Sequence, residues 1–153
     1  MTSDPLFTAA ALALAESFGW PARAFAEGEE QVVAAALPAD SPWEQVIWVA
    51  SPQSGLLRGL LIWRGAVPAA RRAAVLELCA RVNDGLPSGC LEYGFADDSL
   101  AFRESADLGE GAVTPVEALT SRLLHLGKRY GPALAGVLGG GEPVAAVAAA
   151  ESD

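Results

Sequence analysis

The chain has 153 residues, the size of one ordinary domain, and a composition of 52% hydrophobic and 19% charged residues excludes a disordered polypeptide. Ten Lys plus Arg against nineteen Asp plus Glu leave a net charge of -9, and a surface of that sign repels phosphate backbones and anionic membranes. Neither nucleic acid nor a membrane is expected as a partner.

Met1-Thr2-Ser3-Asp4-Pro5 carries an acid where a secretory signal would carry positive charge, and no signal peptide is expected. The longest apolar runs, Ala9 to Ala15 and Val144 to Ala150, fall well short of the roughly 20 residues that span a bilayer, so a soluble, cytoplasmic chain is the expectation. Ser3-Asp4-Pro5 then offers a capping side chain followed by proline at the first helical position. Phe7, Ala11, Leu14 and Phe18 recur at helical spacing until Gly19 ends this first helix. Trp20-Pro21 forbids continuation and leads into two extended stretches, Arg23 to Glu27 and Gln31 to Leu37, that turn at Gly28.

After the loop from Pro38 to Pro42, Trp43 to Ala50 and Leu56 to Arg64 are rich in aromatic and branched residues and read as a second hairpin. In the first of these strands Gln45, Ile47 and Val49 share one face while Val46, Trp48 and Ala50 share the other. Both faces are apolar, and something must cover each. Pro68 opens a second helix with Val75, Leu78, Cys79 and Val82 on one side and Ala73, Leu76 and Ala80 on another. An apolar surface that wide calls for two packing partners.

Asp84 to Gly89 ends that helix, and a third hairpin follows: Leu91, Tyr93 and Phe95 alternate with polar or small residues, as do Leu100 and Phe102 beyond Asp97-Asp98. Ser105 to Val113 reads as a linker, and Thr114-Pro115-Val116-Glu117 as a capping box opening a helix with Val116, Leu119, Leu123, Leu126 and Tyr130 on one face. Gly131-Pro132 predicts a break, with a short apolar segment to Leu138 and an alanine-rich tail after Gly139-Gly140-Gly141 that either frays or docks. The expected architecture is α+β, an antiparallel sheet flanked by helices in the order α-β-β-β-β-α-β-β-α, with one domain over 1–138 and the tail over 139–153.

Arg71 to Leu138 resembles the YbjN-domain family, described as bacterial sensory transduction regulators. The features that carry the resemblance are the helix ending Arg81-Val82-Asn83, the strand Gly89-Cys90-Leu91-Glu92-Tyr93, the acidic turn Asp97-Asp98, the strand Leu100-Ala101-Phe102-Arg103, and the helix holding Tyr130-Gly131-Pro132-Ala133-Leu134. The upstream half agrees in element order alone. The resemblance implies a fold like that of the type III secretion chaperones, commonly dimeric, with no active site to carry over.

No residue set completes a catalytic or metal site. His125, the single histidine, lies among Arg122, Lys128 and Arg129 with no carboxylate or thiol at a spacing that would orient it, and reads as a solvated helix residue. Asp97-Asp98 reads as turn chemistry, and Gly139-Gly140-Gly141 lacks the lysine and spacing of a phosphate loop. Cys79 and Cys90 read as two reduced thiols. No cofactor or metal is expected, nor an enzyme. Trp20 and Trp63 are assigned to the core, whereas Trp48 is expected at an interface. The function expected is a non-catalytic, chaperone-like or regulatory binding module: a homodimer that holds a partner protein or peptide, with Trp48, Val46, Val75, Leu78 and Val82 on the partner or dimer surface. The alternative is a small-molecule sensor or weakly marked enzyme with a pocket between sheet and helices, lined by Trp63, Tyr93 and Phe102 and entered past Arg64 or Arg103.

Overall fold

The structure, a computed structural model, describes residues 5–109 and 111–152. The expected cap at Ser3 and Asp4 lies outside these residues. The chain runs α1 (Pro5–Ser17), β1 (Ala22–Glu27), β2 (Glu30–Ala36), β3 (Trp43–Ser51), β4 (Leu56–Trp63), a 3-10 turn (Ala69–Arg71), α2 (Arg72–Gly85), β5 (Cys90–Gly94), β6 (Ser99–Asp107), α3 (Val113–Leu138) and α4 (Pro143–Glu151). The fold is α+β. Six strands form one antiparallel sheet in the order β1-β2-β3-β4-β6-β5, so the first four strands form a meander and β6 is inserted between β4 and β5.

Helix α3 is the axis of the core. Leu119, Leu123, Leu126, Tyr130 and Leu134 are buried along one stripe and meet Leu57, Leu61 and Phe102 of the sheet. Two glycines bring the layers close: a Cβ on Gly59 of β4 would lie 2.1 Å from Leu119 Cδ2, and one on Gly127 of α3 would lie 2.5 Å from Leu61 Cδ2. Trp48 closes the same seam. Its indole N–H donates to Thr120 Oγ1 at 2.7 Å, and the Thr120 hydroxyl donates in turn to the Val116 carbonyl at 2.7 Å, so the two polar groups are buried in partnership. Phe7, Ala11 and Ala15 of α1 complete the core beside Val33 and Ala35.

The structure corrects the sequence expectations at five places. Ser105 to Asp107 extend β6 because they pair with Arg58, Leu57 and Leu56, so the linker is shorter than expected. Thr114 does not cap α3: the helix begins at Val113 behind Ala112, which has a φ of 56°, and no side chain caps it. Helix α3 does not break at Gly131-Pro132 but runs to Leu138 with Pro132 inside it. The lost hydrogen bond and ring clash cost about 3 kcal/mol. Buried Tyr130, Ala133, Leu134 and Val137 on both sides of the proline offset it. Beyond Gly141 the tail forms α4, which docks through Tyr130 O–H on Glu151 (2.9 Å) and Arg71 on the carbonyls of Val137 (2.8 Å) and Gly141 (2.9 Å). The second helix, finally, is not two-sided. Val75, Leu78, Cys79 and Val82 are buried, whereas on the other side Leu76 is half-buried and Ala73 and Ala80 are exposed methyl groups that call for no partner.

The tight seam at Gly59 makes a specific demand. Gly59→Ala should destabilise the fold by about 1–3 kcal/mol, the cost of forcing α3 away from the sheet. Urea denaturation followed by circular dichroism measures it, and a stability equal to wild type would show that the seam has slack.

Candidate functional site

The helices lie on one side of the sheet. Val46, Trp48 and Ala50 of β3, Leu57 and Leu61 of β4, and Leu100 and Phe102 of β6 point into that core. The alternate residues point the other way, and their registers join them into rows: Phe25, Val32, Val49, Arg58 and Ser105 in one, Arg23, Ala34, Ile47, Leu60, Arg103 and Cys90 in the next, then Ala36, Gln45, Ile62, Ala101 and Glu92. Among the described residues no helix covers these rows. An antiparallel sheet with one solvated face ordinarily alternates apolar-in with polar-out. Here the outward residues at the centre are aliphatic: Val32, Ala34 and Val49 are screened only by their neighbours on the sheet, while Ile47, Leu60 and Ile62 are half-exposed. Phe25 extends the patch onto edge strand β1, 41% exposed.

Charged residues flank the aliphatic centre of this face, and two arginines there are ion-paired. Glu30 accepts from the Ser51 hydroxyl at 2.6 Å and is ion-paired with Arg58, while Arg103 Nε reaches Glu92 at 2.8 Å. The Ser51 hydroxyl, and then the Arg58 guanidinium, hold the Glu30 carboxyl below its ordinary range. Arg23, Arg58 and Arg103 against Glu27, Glu30, Glu92 and Asp107 leave the face at -1 within a chain of -9. An apolar centre with a polar rim is the anatomy of a protein interface.

All five residues expected on the partner surface lie elsewhere. Trp48, Val46, Val75, Leu78 and Val82 are each 0% exposed and belong to the core of this single chain, because α1, α2 and α3 already cover their side of the sheet. The residues that do face outward on β3 are their neighbours Ile47 and Val49, one position out of phase. Trp63 is in the core as expected, edge-on to Trp43 at 4.9 Å, and Trp20 is half-buried and stacked on Phe18 at 4.3 Å.

The pocket expected behind Trp63 and Phe102 is filled by the rings of Trp43, Phe102 and Tyr130. Arg64 guards no entrance: it donates to the carbonyls of Ser41, Pro38 and Trp43, stapling the loop before β3. Tyr93 instead joins Arg72 and Asp98 in a latch between α2 and the β5–β6 hairpin, with Arg72 reaching Tyr93 Oη at 3.1 Å and Asp98 at 2.8 Å. His125 is exposed on α3. Cys79 is buried, which pushes its thiol up to about 11 and keeps it protonated near neutrality, and Cys90 is a free, half-buried thiol on the open face. Among the described residues no three His, Cys, Asp or Glu side chains gather as metal ligands, and no helix is long and apolar enough to cross a membrane.

Compared with known proteins, the chain matches no family model, no curated protein and no solved structure.

The Glu30 cluster gives a pH dependence of definite sign. A carboxyl whose folded pKa is depressed adds stability that is present above its unfolded value, near 4.5, and is lost as pH falls through the folded value. Glu30→Gln should therefore lower the urea midpoint relative to wild type at pH 7, with the two midpoints converging as pH falls below the ordinary carboxyl value of 4.5. A difference that persists undiminished in acid would contradict the assignment.

Proposed function

We propose that this protein is a non-catalytic binding module that pairs with a second copy of itself through the open face of the sheet, and in that form holds a partner polypeptide as a chaperone-like or regulatory unit. The observation that carries the reading is the aliphatic centre formed by Val32, Ile47, Val49, Leu60 and Ile62 with no layer over it. The resemblance of Arg71 to Leu138 to the YbjN-domain family, and through it to the secretion-chaperone fold, points the same way.

Area and charge favour a second copy as the occupant. Four strands about 4.8 Å apart, with β3 rising about 3.3 Å per residue, make a face on the order of 600 Å². Two such faces stacked about 10 Å apart would match footprints of that size, and because Val32, Ala34 and Val49 are already only 5–9% exposed the area removed from water stays below about 1,200 Å², the size of a transient pairing. A face near neutrality lets two acidic chains meet without setting like charges against each other, and the two-fold operation brings equivalent aliphatic rows together. The remaining acidic exterior would then steer a basic or amphipathic client to the dimer.

Analytical ultracentrifugation at micromolar concentration tests this. Wild type should sediment as a dimer. Ile47→Lys combined with Leu60→Lys should sediment as a folded monomer with an unchanged circular dichroism spectrum, self-association having weakened by well over about tenfold. A monomeric wild type, or a dimer indifferent to both lysines, would overturn the reading.

A further inference from the structure

Glu104 is the one charged side chain fully buried among the described residues, 3% exposed on the helix side of β6. Burying a carboxylate costs several kcal/mol unless it is paired and hydrogen-bonded, and a carboxylate has about four acceptor sites to fill. Two groups of the chain approach the Glu104 oxygens. Oε1 accepts from the Ser88 hydroxyl at 3.2 Å, and Oε2 lies 3.6 Å from Arg122 Nε, beyond the ordinary N–H···O range of about 2.7–3.2 Å. The loop before β5 accommodates this carboxylate closely: Gly89, at a φ of 73°, passes so near that a Cβ there would lie 2.7 Å from Oε1.

The same carboxylate lines a pocket of about 350 Å³ with Ser88, Ser121, Arg122, His125 and, as an apolar wall, Pro87 and Leu126. One wall thus carries a buried anion, and the rim carries Arg122, 43% exposed and only loosely engaged. The two opposite charges sit side by side. A simple cation would leave the pocket with excess positive charge beside Arg122, and a simple anion would be set against Glu104. A ligand with adjacent ammonium and carboxylate groups satisfies both and adds no net charge.

We propose that this pocket takes the head group of a free α-amino acid, its ammonium on Glu104 and Ser88 and its carboxylate on Arg122. A short aliphatic side chain would lie against Leu126 and Pro87, and a volume of 350 Å³ suits a ligand of that size. The site lies on the helix side of the sheet, away from the open face, so binding is independent of self-association.

Titration of the full-length protein with L-alanine and L-valine, followed by isothermal calorimetry and by thermal shift, tests the proposal. Both should bind and raise the melting temperature, whereas N-acetyl-L-alanine, which lacks the ammonium, and L-alanine methyl ester, which lacks the carboxylate, should not. Glu104→Gln should weaken binding by about tenfold or more. Should that buried variant fail to fold, Arg122→Gln, on the exposed rim, should give a loss of similar size. The monomeric Ile47→Lys, Leu60→Lys protein should bind like wild type, which separates this proposal from the dimer. No response to either amino acid, equal binding of the blocked compounds, or undiminished binding in the Arg122 variant would overturn it.

Discussion

A sheet has two faces, and in this protein both are apolar while the described helices cover one. That imbalance governs the rest of the structure. On the inner side, Trp48, Phe102, Leu57 and Leu61 are enclosed by α1 and α3, and the glycines at 59 and 127 draw the layers together. On the outer side, Val32, Val49, Ile47, Leu60 and Ile62 have only one another. Side chains of this kind leave water at about 25 cal/mol for each square ångström buried, and the patch is continuous across three strands. The open face is therefore the site at which this molecule has most to gain from contact with another.

Polar chemistry on the two sides follows the same division. Inside, Trp48 is satisfied by Thr120, Thr120 by a helix carbonyl, and Trp43 by the carbonyl of Gly127 at 3.3 Å, while Gln31 Oε1 is buried without a partner. Outside, two ion pairs flank the aliphatic residues, Glu30 with Arg58 and Glu92 with Arg103, and Arg58 Nε is buried without a partner. Glu104 is the exception on the inner side as a fully buried charge, and it stands beside an open pocket. That exception separates a surface suited to a polypeptide from a cavity suited to a small zwitterion.

Much of the architecture was legible in the amino-acid pattern. Turn residues and two-residue alternation located all six strands, and helical spacing located α1, α2 and α3. What could not be read was which side of β3 would be covered. Val46-Ile47-Trp48-Val49 is apolar at every position, so the strand period sorts the residues into two sets without saying which set meets α3. That choice depends on Gly59 across the hairpin and on Thr120 and Gly127, which lie far from β3 in sequence. The same limit explains α2, where exposed alanines imitated a second apolar face, and Pro132, whose local preference for a break yields to burial on both flanks. Glu104 falls on the face of Phe102 by the strand period, but an acid next to the expected linker at Ser105 reads as solvated rather than buried.

Carbene footprinting read by mass spectrometry, at concentrations spanning the micromolar range, tests most directly whether the outer face is covered in solution. Ile47, Leu60 and Ile62 should be protected at high concentration and become labelled on dilution, while Phe95, 75% exposed at a hairpin tip, labels throughout. Labelling of those three aliphatic residues that is the same at every concentration would contradict the account.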